Sequence, residues 1–92
     1  MLTLTDKAHE AVAALSRSTV PWHAPGLRIC RHADRPTFAV RRVTLPEETD
    51  LVIDDDGARV FLGPIAAVRF NDSVLDVRTD EHDRLQFVVR AA

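Results

Sequence analysis

Leu51-Val52-Ile53-Asp54-Asp55-Asp56-Gly57-Ala58-Arg59-Val60-Phe61-Leu62 is the stretch whose reading decides the fold. Two apolar, β-forming runs flank an Asp-Gly pair, and both residues of such a pair tolerate the positive φ that a tight hairpin turn demands. The stretch predicts a β-hairpin. Just beyond it, Pro64 opens a short segment to Phe70 that carries Ile65, Ala66, Val68 and Arg69. Proline is tolerated in the first turn of a helix, where its missing amide is not needed, so one or two helical turns are expected there. Two strands follow, Val74 to Thr79 and Leu85 to Arg90, joined by the polar residues 80–84. In the second, Leu85, Phe87 and Val89 share one face and Gln86 and Arg90 the other.

Toward the N-terminus the apolar period lengthens. Ala8, Ala11, Val12 and Leu15 fall at i, i+3, i+4 and i+7, Thr5 is a good N-cap and Asp6 suits the positive end of a helix, which predicts a helix from about Asp6 to Arg17. Pro21 and Pro25 bracket a loop that no helix crosses. From Gly26 the period becomes two: Leu27 and Ile29 alternate with Arg28 and Cys30, a strand with one buried face. Arg31 then falls on the buried parity, so a twist, a bulge or the surface is expected near His32. Ala33-Asp34-Arg35-Pro36 reads as a turn, and Phe38, Val40 and Val43 belong to a second strand that forms a hairpin with the first.

Ninety-two residues are enough for one domain, 1–92, with one modest core. Hydrophobic residues at 46% and charged residues at 28% exclude disordered and fibrous classes. A net charge of −2, from 12 basic and 14 acidic residues, supplies no global field to draw nucleic acid or an anionic membrane. No apolar run approaches the ~20 residues of a membrane span and the first residues lack a signal-peptide pattern, so a cytoplasmic protein is expected. A single cysteine, Cys30, makes no intrachain disulfide, in keeping with a reducing compartment.

The run Gly57 to Leu62 with Pro64 to Val77 resembles the central stretch of the HesB/IscA-like A-type iron-sulfur carriers. Leu2-Thr3-Leu4-Thr5 with Ala8 resembles that family's opening strand and helix start. Gly26-Leu27-Arg28-Ile29 is similar to its Gly-Leu-Arg-Leu strand, and Leu75-Asp76-Val77 to its Leu-Asp-Phe strand. The resemblance implies an α+β domain, with an N-terminal helix packed on mixed, mostly antiparallel strands in two layers. Metal-binding relatives present one cysteine in a loop after the first core strand and a Cys-Gly-Cys near the C-terminus. Here the corresponding loop lies near Ala33 to Thr37, without cysteine, and the chain ends at Ala91-Ala92 without the other two. Iron-sulfur clusters are held by thiolates, commonly four, and a dimer of this chain offers two. The resemblance therefore implies the scaffold without its chemistry, and no cofactor is expected.

Five groups of residues are weighed as sites. Cys30, His32 and Asp34 alternate, so an unbroken strand would set them on one face as ligands for zinc or iron. Against this, the set completes no recognised ligand spacing, and Arg28, Arg31 and Arg35 oppose a cation there. A half-buried thiol beside solvated side chains is the plainer account. Arg28, Arg31, Arg35, Arg41 and Arg42 crowd one hairpin, and Glu47, Glu48, Asp50, Asp54, Asp55 and Asp56 follow directly. The arginines suit docking on a carboxylate or phosphate-bearing surface, but charge balance within the molecule with solvated strand faces is the plainer account. Trp22, between two prolines, anchors a partner if exposed, but a single large aromatic more commonly caps the end of a small core. Asp54-Asp55-Asp56-Gly57 does not fit a calcium loop, because that frame puts Val52 at the first ligand and Gly63 at the last. His9 and His82 read as surface residues. No phosphate-binding loop, catalytic carboxylate pair or serine triad is present.

The expected function is that of a non-enzymatic protein-binding or adaptor module. It would contact another protein, or itself as a homodimer, through Arg28, Arg31, Arg35, Arg41, Arg42 and Trp22, with neither nucleic acid nor membrane as partner. The alternative is a residual iron-sulfur or metal binder in which a dimer joins two copies of Cys30, with His32 or an exogenous thiol completing the site.

Overall fold

A computed structural model describes all residues, Met1–Ala92. In chain order the elements are β1 (Thr3–Leu4), α1 (Asp6–Leu15), β2 (Gly26–Arg31), β3 (Phe38–Val43), β4 (Leu51–Asp55), β5 (Ala58–Leu62), α2 (Pro64–Arg69), β6 (Ser73–Thr79) and β7 (Leu85–Ala91). They form two sheets, one in the order β1-β6-β7 and one in the order β3-β2-β5-β4. The β1–β6 and β2–β5 pairs are parallel and the others antiparallel. This is the expected α+β arrangement, an N-terminal helix on mixed, mostly antiparallel sheets.

The β4–β5 hairpin turns where the sequence places it. Asp56 and Gly57 take φ of 49° and 90°, and Asp54 Oδ1 accepts the Gly57 amide at 3.0 Å. Its register puts Ile53 opposite Val60 and Leu51 opposite Leu62. In turn Val60 lies beside Leu27 and Leu62 beside Ile29. One face of the sheet is thereby lined with aliphatic side chains, and Ala8 and Val12 of α1 join them in the core with Leu2, Ala66 and Leu75. Phe87 and Val89 of β7 close that core from the other sheet.

α1 stops at Leu15, two residues short of the expected end. Ser16 explains the stop: its hydroxyl donates to Val12 O at 2.7 Å and its amide to the Val12 and Ala13 carbonyls. Its own carbonyl and hydroxyl are taken by Arg59 of β5. With its last carbonyls satisfied by side chains rather than by a further turn, the helix ends there. At the other end Thr5 accepts the Ala8 amide at 3.2 Å, the expected N-cap.

β2 departs most from the sequence reading. Gly26, Leu27, Arg28 and Ile29 are all buried, whereas alternation predicts one solvated face. β2 lies between β3 and β5, its aliphatic face turned to the core. Over the opposite face, Glu47 and Asp50 of the β3–β4 connection bind Arg28. A strand covered on both sides shows no period-two burial.

Candidate functional site

The five hairpin arginines do not form one exposed patch. Arg28 is 7% exposed and makes three hydrogen bonds to two carboxylates. Its Nε and one terminal nitrogen donate to the two Asp50 oxygens at 2.9 Å each, and the same terminal nitrogen donates to Glu47 Oε2 at 3.0 Å. The Asp50 side chain is fully buried and also accepts the Glu47 amide at 2.9 Å. The Arg28 hydrogen bond holds the Asp50 carboxyl below its usual range, and Asp50 in turn raises the Arg28 guanidinium. Charge balance within the molecule is therefore realised at Arg28, which is not free to dock anything.

The other four arginines are exposed and make no ion pair. Arg31 and Arg35 sit at the loop end of the β2–β3 hairpin. Arg41 and Arg42 sit on β3, on opposite faces of the sheet because they are consecutive in a strand. Arg42 alone is anchored, donating from Nε to Leu15 O at 3.0 Å at the end of α1.

Trp22 is 74% exposed, so it does not cap the core. It stands at the opposite end of the hairpin from Arg31 and Arg35, where Ala24 N donates to Thr44 O at 2.9 Å just past the end of β3. Its ring meets His23 edge-on, with centroids 6.2 Å apart. Arg42 lies at this same end, beside His23 and Thr44 in an open, polar depression. The surface thus has two arms, Arg31 with Arg35 and Arg42 with Trp22, and Arg41 lies between them.

Cys30, His32 and Asp34 do not assemble as ligands. β2 ends at Arg31, so the strand that would align the three does not continue through His32 and Asp34. Nowhere do three or more His, Cys, Asp or Glu side chains converge as a metal site. Cys30 is half-buried and lines a shallow opening of about 270 Å³ with Arg28, Arg31, Glu47 and Ile65. Gly63 forms the floor, since a Cβ there would lie 3.4 Å from the Cys30 Cβ. One thiol among guanidinium groups does not fit an iron-sulfur cluster, which needs several thiolates around it.

Nothing in the sequence around Arg59 marks it as a site residue. It donates to the carbonyls of Ser16 and Pro25, joining the end of α1 to the start of β2. An arginine inside a strand carries no local sign of such a distant acceptor.

No family model matches the chain, and no curated protein does. Solved structures do. Escherichia coli SufA, involved in biosynthesis of iron-sulfur clusters, superimposes with a TM-score of 0.75 at 22% identity over 98% of this chain and 84% of that one. IscA with a 2Fe-2S cluster superimposes with a TM-score of 0.67 at 20% identity over 99% of this chain and 82% of that one. The fold is that of the HesB/IscA-like proteins. No helix is long and apolar enough to cross a membrane.

Proposed function

We propose that this chain is a divergent HesB/IscA-like module that carries no iron-sulfur cluster and works, without catalysis, as an adaptor that binds another protein. The observation that carries the reading is the pairing of this fold with a single half-buried thiol and no converging ligand set. The contact surface is the exposed part of the β2–β3 hairpin: Arg31, Arg35, Arg41 and Arg42, with Trp22 at its far end. Four guanidinium groups without carboxylate partners suit an acidic protein surface, and an exposed tryptophan supplies the apolar anchor such contacts use. Arg28 is excluded from the surface because Asp50 and Glu47 already occupy it.

Two measurements test the reading. Protein reconstituted anaerobically with iron and sulfide is expected to show no sulfur-to-iron charge-transfer absorption. A spectrum that appears and is lost in Cys30→Ser would replace this reading with that of a residual cluster binder. Capture of interacting proteins is expected to fall in the Arg31→Glu/Arg35→Glu variant, and recovery unchanged from the parent protein would remove the loop arm from the surface.

A further inference from the structure

The β3-β2-β5-β4 sheet has two free edges, and their sequences match. Read in the same chain direction, residues 38–42 are three apolar residues followed by two arginines. Residues 51–55 are three apolar residues followed by two aspartates. We propose that the β3 edge of one copy pairs with the β4 edge of the next, in parallel, with residue 38 beside residue 51 and Arg41 and Arg42 beside Asp54 and Asp55. This deepens the protein-binding reading above by naming a second copy as the partner of its β3 arm, and it rests on the exposed arginines being free.

Topology supplies the direction. β3 is antiparallel to β2, β4 is antiparallel to β5, and β2 is parallel to β5, so β3 and β4 run the same way. A second copy carried past the first in the same orientation therefore meets β4 with β3 in parallel. The pleat supplies the register. Val40 stands opposite Ile29, Ile29 opposite Leu62 and Leu62 opposite Leu51, which puts Val40 and Leu51 on one face of the sheet. Following the alternation, Val40 and Ile53 share that face, as do Arg42 and Asp55, while Arg41 and Asp54 share the other. All five pairs of the proposed register keep to their own faces, and a shift by one residue would break every one of them.

Neither edge is hydrogen-bonded to a further strand. Apart from the Asp55 carbonyl, which meets the His9 ring at 2.8 Å, no backbone group of β3 or β4 bonds outside the sheet's own ladders. Val40, Leu51 and Val52 are 38%, 49% and 48% exposed, and a groove of about 420 Å³ lies between β4 and the N-terminal strand. Charges on edge strands ordinarily keep sheets apart, and they do so when the meeting edges carry the same sign. Here the two edges of one sheet carry opposite signs, so β3 repels β3 and β4 repels β4, whereas β3 attracts β4. Arg42 keeps its terminal nitrogens for Asp55 while its Nε holds Leu15, and Asp54 keeps Oδ2 while Oδ1 holds the Gly57 amide. The contact is head-to-tail, so it leaves one free edge at each end and adds copies rather than closing a dimer.

Sedimentation velocity over a range of protein concentrations, at low and at high salt, tests this on the intact chain. The expected result is an average mass that rises at least about twofold with concentration at low salt and returns to that of one chain at ~0.5 M salt. Arg41→Glu/Arg42→Glu and Asp54→Lys/Asp55→Lys should each be monomeric alone. An equimolar mixture of the two should associate again, because each reversed edge then faces its complement. The milder pair Arg41→Glu and Asp54→Lys repeats the exchange without touching the Arg42–Leu15 bond, and circular dichroism verifies that every variant is folded. A parent protein that stays monomeric throughout, association that charge reversal leaves intact, or a mixture that stays monomeric would each overturn the proposal. Arg31→Glu/Arg35→Glu should self-associate like the parent. If it does not, the register is wrong, whereas loss of self-association in the β3 variants with partner capture unchanged leaves the loop arm of the adaptor reading standing.

Discussion

Arg28 and Asp50 meet as a two-point ion pair in the interior, two bonds of 2.9 Å each, with the Asp50 side chain fully removed from solvent. Asp50 also turns the β3–β4 connection, since its backbone amide donates to Glu47 O and its side chain accepts the Glu47 amide. The pair thereby fastens an acidic loop over the outer face of β2. Taking two charges out of water is costly, and the geometry repays it only while both partners are present.

Removing one partner should therefore destabilise far more than removing both. Arg28→Met leaves a buried, unpaired carboxylate and is expected to cost about 3–5 kcal/mol, while Arg28→Met/Asp50→Leu should recover much of the loss. Urea unfolding of the two variants and the parent measures the difference. Equal losses in the single and double variants would mean that the loop is held by something other than the pair.

The same pair shows why part of the site was illegible. The β4–β5 turn could be read from Asp56-Gly57, and α1 from Ala8 and Val12, because local geometry decides both. Arg28 could not be placed that way: alternation assigns it to solvent, and its partner lies 22 residues further on. Trp22 also ran against the commoner expectation, since nothing in Pro21-Trp22-His23 records that the loop stands away from the core. The ligand reading of Cys30, His32 and Asp34 depended on a strand continuing past Arg31, and strand ends are set by pairing partners rather than by the strand's own residues.

Gly26 and Gly57 should respond to alanine for different reasons. A Cβ on Gly26 would stand 2.6 Å from the Arg59 carbonyl oxygen, a backbone atom with no rotamer to yield. Gly26→Ala must push β2 from β5, an overpacking loss of about 1–3 kcal/mol. Gly57 has open space around it but a φ of +90°, so Gly57→Ala carries only conformational strain, of order 1 kcal/mol. Thermal melts of the two variants should rank Gly26→Ala as the more damaging. The reverse order would show that the β2–β5 contact gives way easily.

Asp76 is one of the carboxylates through which acid should weaken the fold. It accepts the Thr5 hydroxyl at 2.7 Å, an Arg90 nitrogen at 2.6 Å and the Val77 amide at 2.8 Å, and these bonds lower its pKa from 3.8 to about 2. Because the folded value lies below the unfolded one, the stabilisation is complete above about pH 4 and is lost as the pH falls toward 2. Asp76→Asn should flatten the decline in stability across that window and leave the slope near neutral pH unchanged. Thr5 serves both this carboxylate and the α1 amides, so Thr5→Ala should cost about 1 kcal/mol through the lost cap and also shift the acid midpoint upward. Melting temperatures between pH 2 and 7 provide both readings; an Asp76→Asn variant with the parent's acid profile would assign the acid limit to other carboxylates.

Arg59 ties three parts of the chain together from one position in β5. Its guanidinium donates to Ser16 O and, at 2.9 Å, to Pro25 O, while its backbone amide donates to the Ser16 hydroxyl at 3.0 Å. A cation at a helix C-terminus also meets the negative end of the helix dipole. Arg59→Met keeps most of the stem but leaves the two carbonyls without their donor, at an expected 1–3 kcal/mol. Hydrogen exchange should locate the loss, with faster exchange at the amides of Ala13 to Ser16 and little change in the β6–β7 hairpin. Arg59→Lys should fare little better, since one ammonium cannot reproduce a planar fork reaching two acceptors. Uniform acceleration across the chain would instead mean that the clasp belongs to the global core. The end of α1 would then have no separate hold, and Ser16 alone would account for where the helix stops.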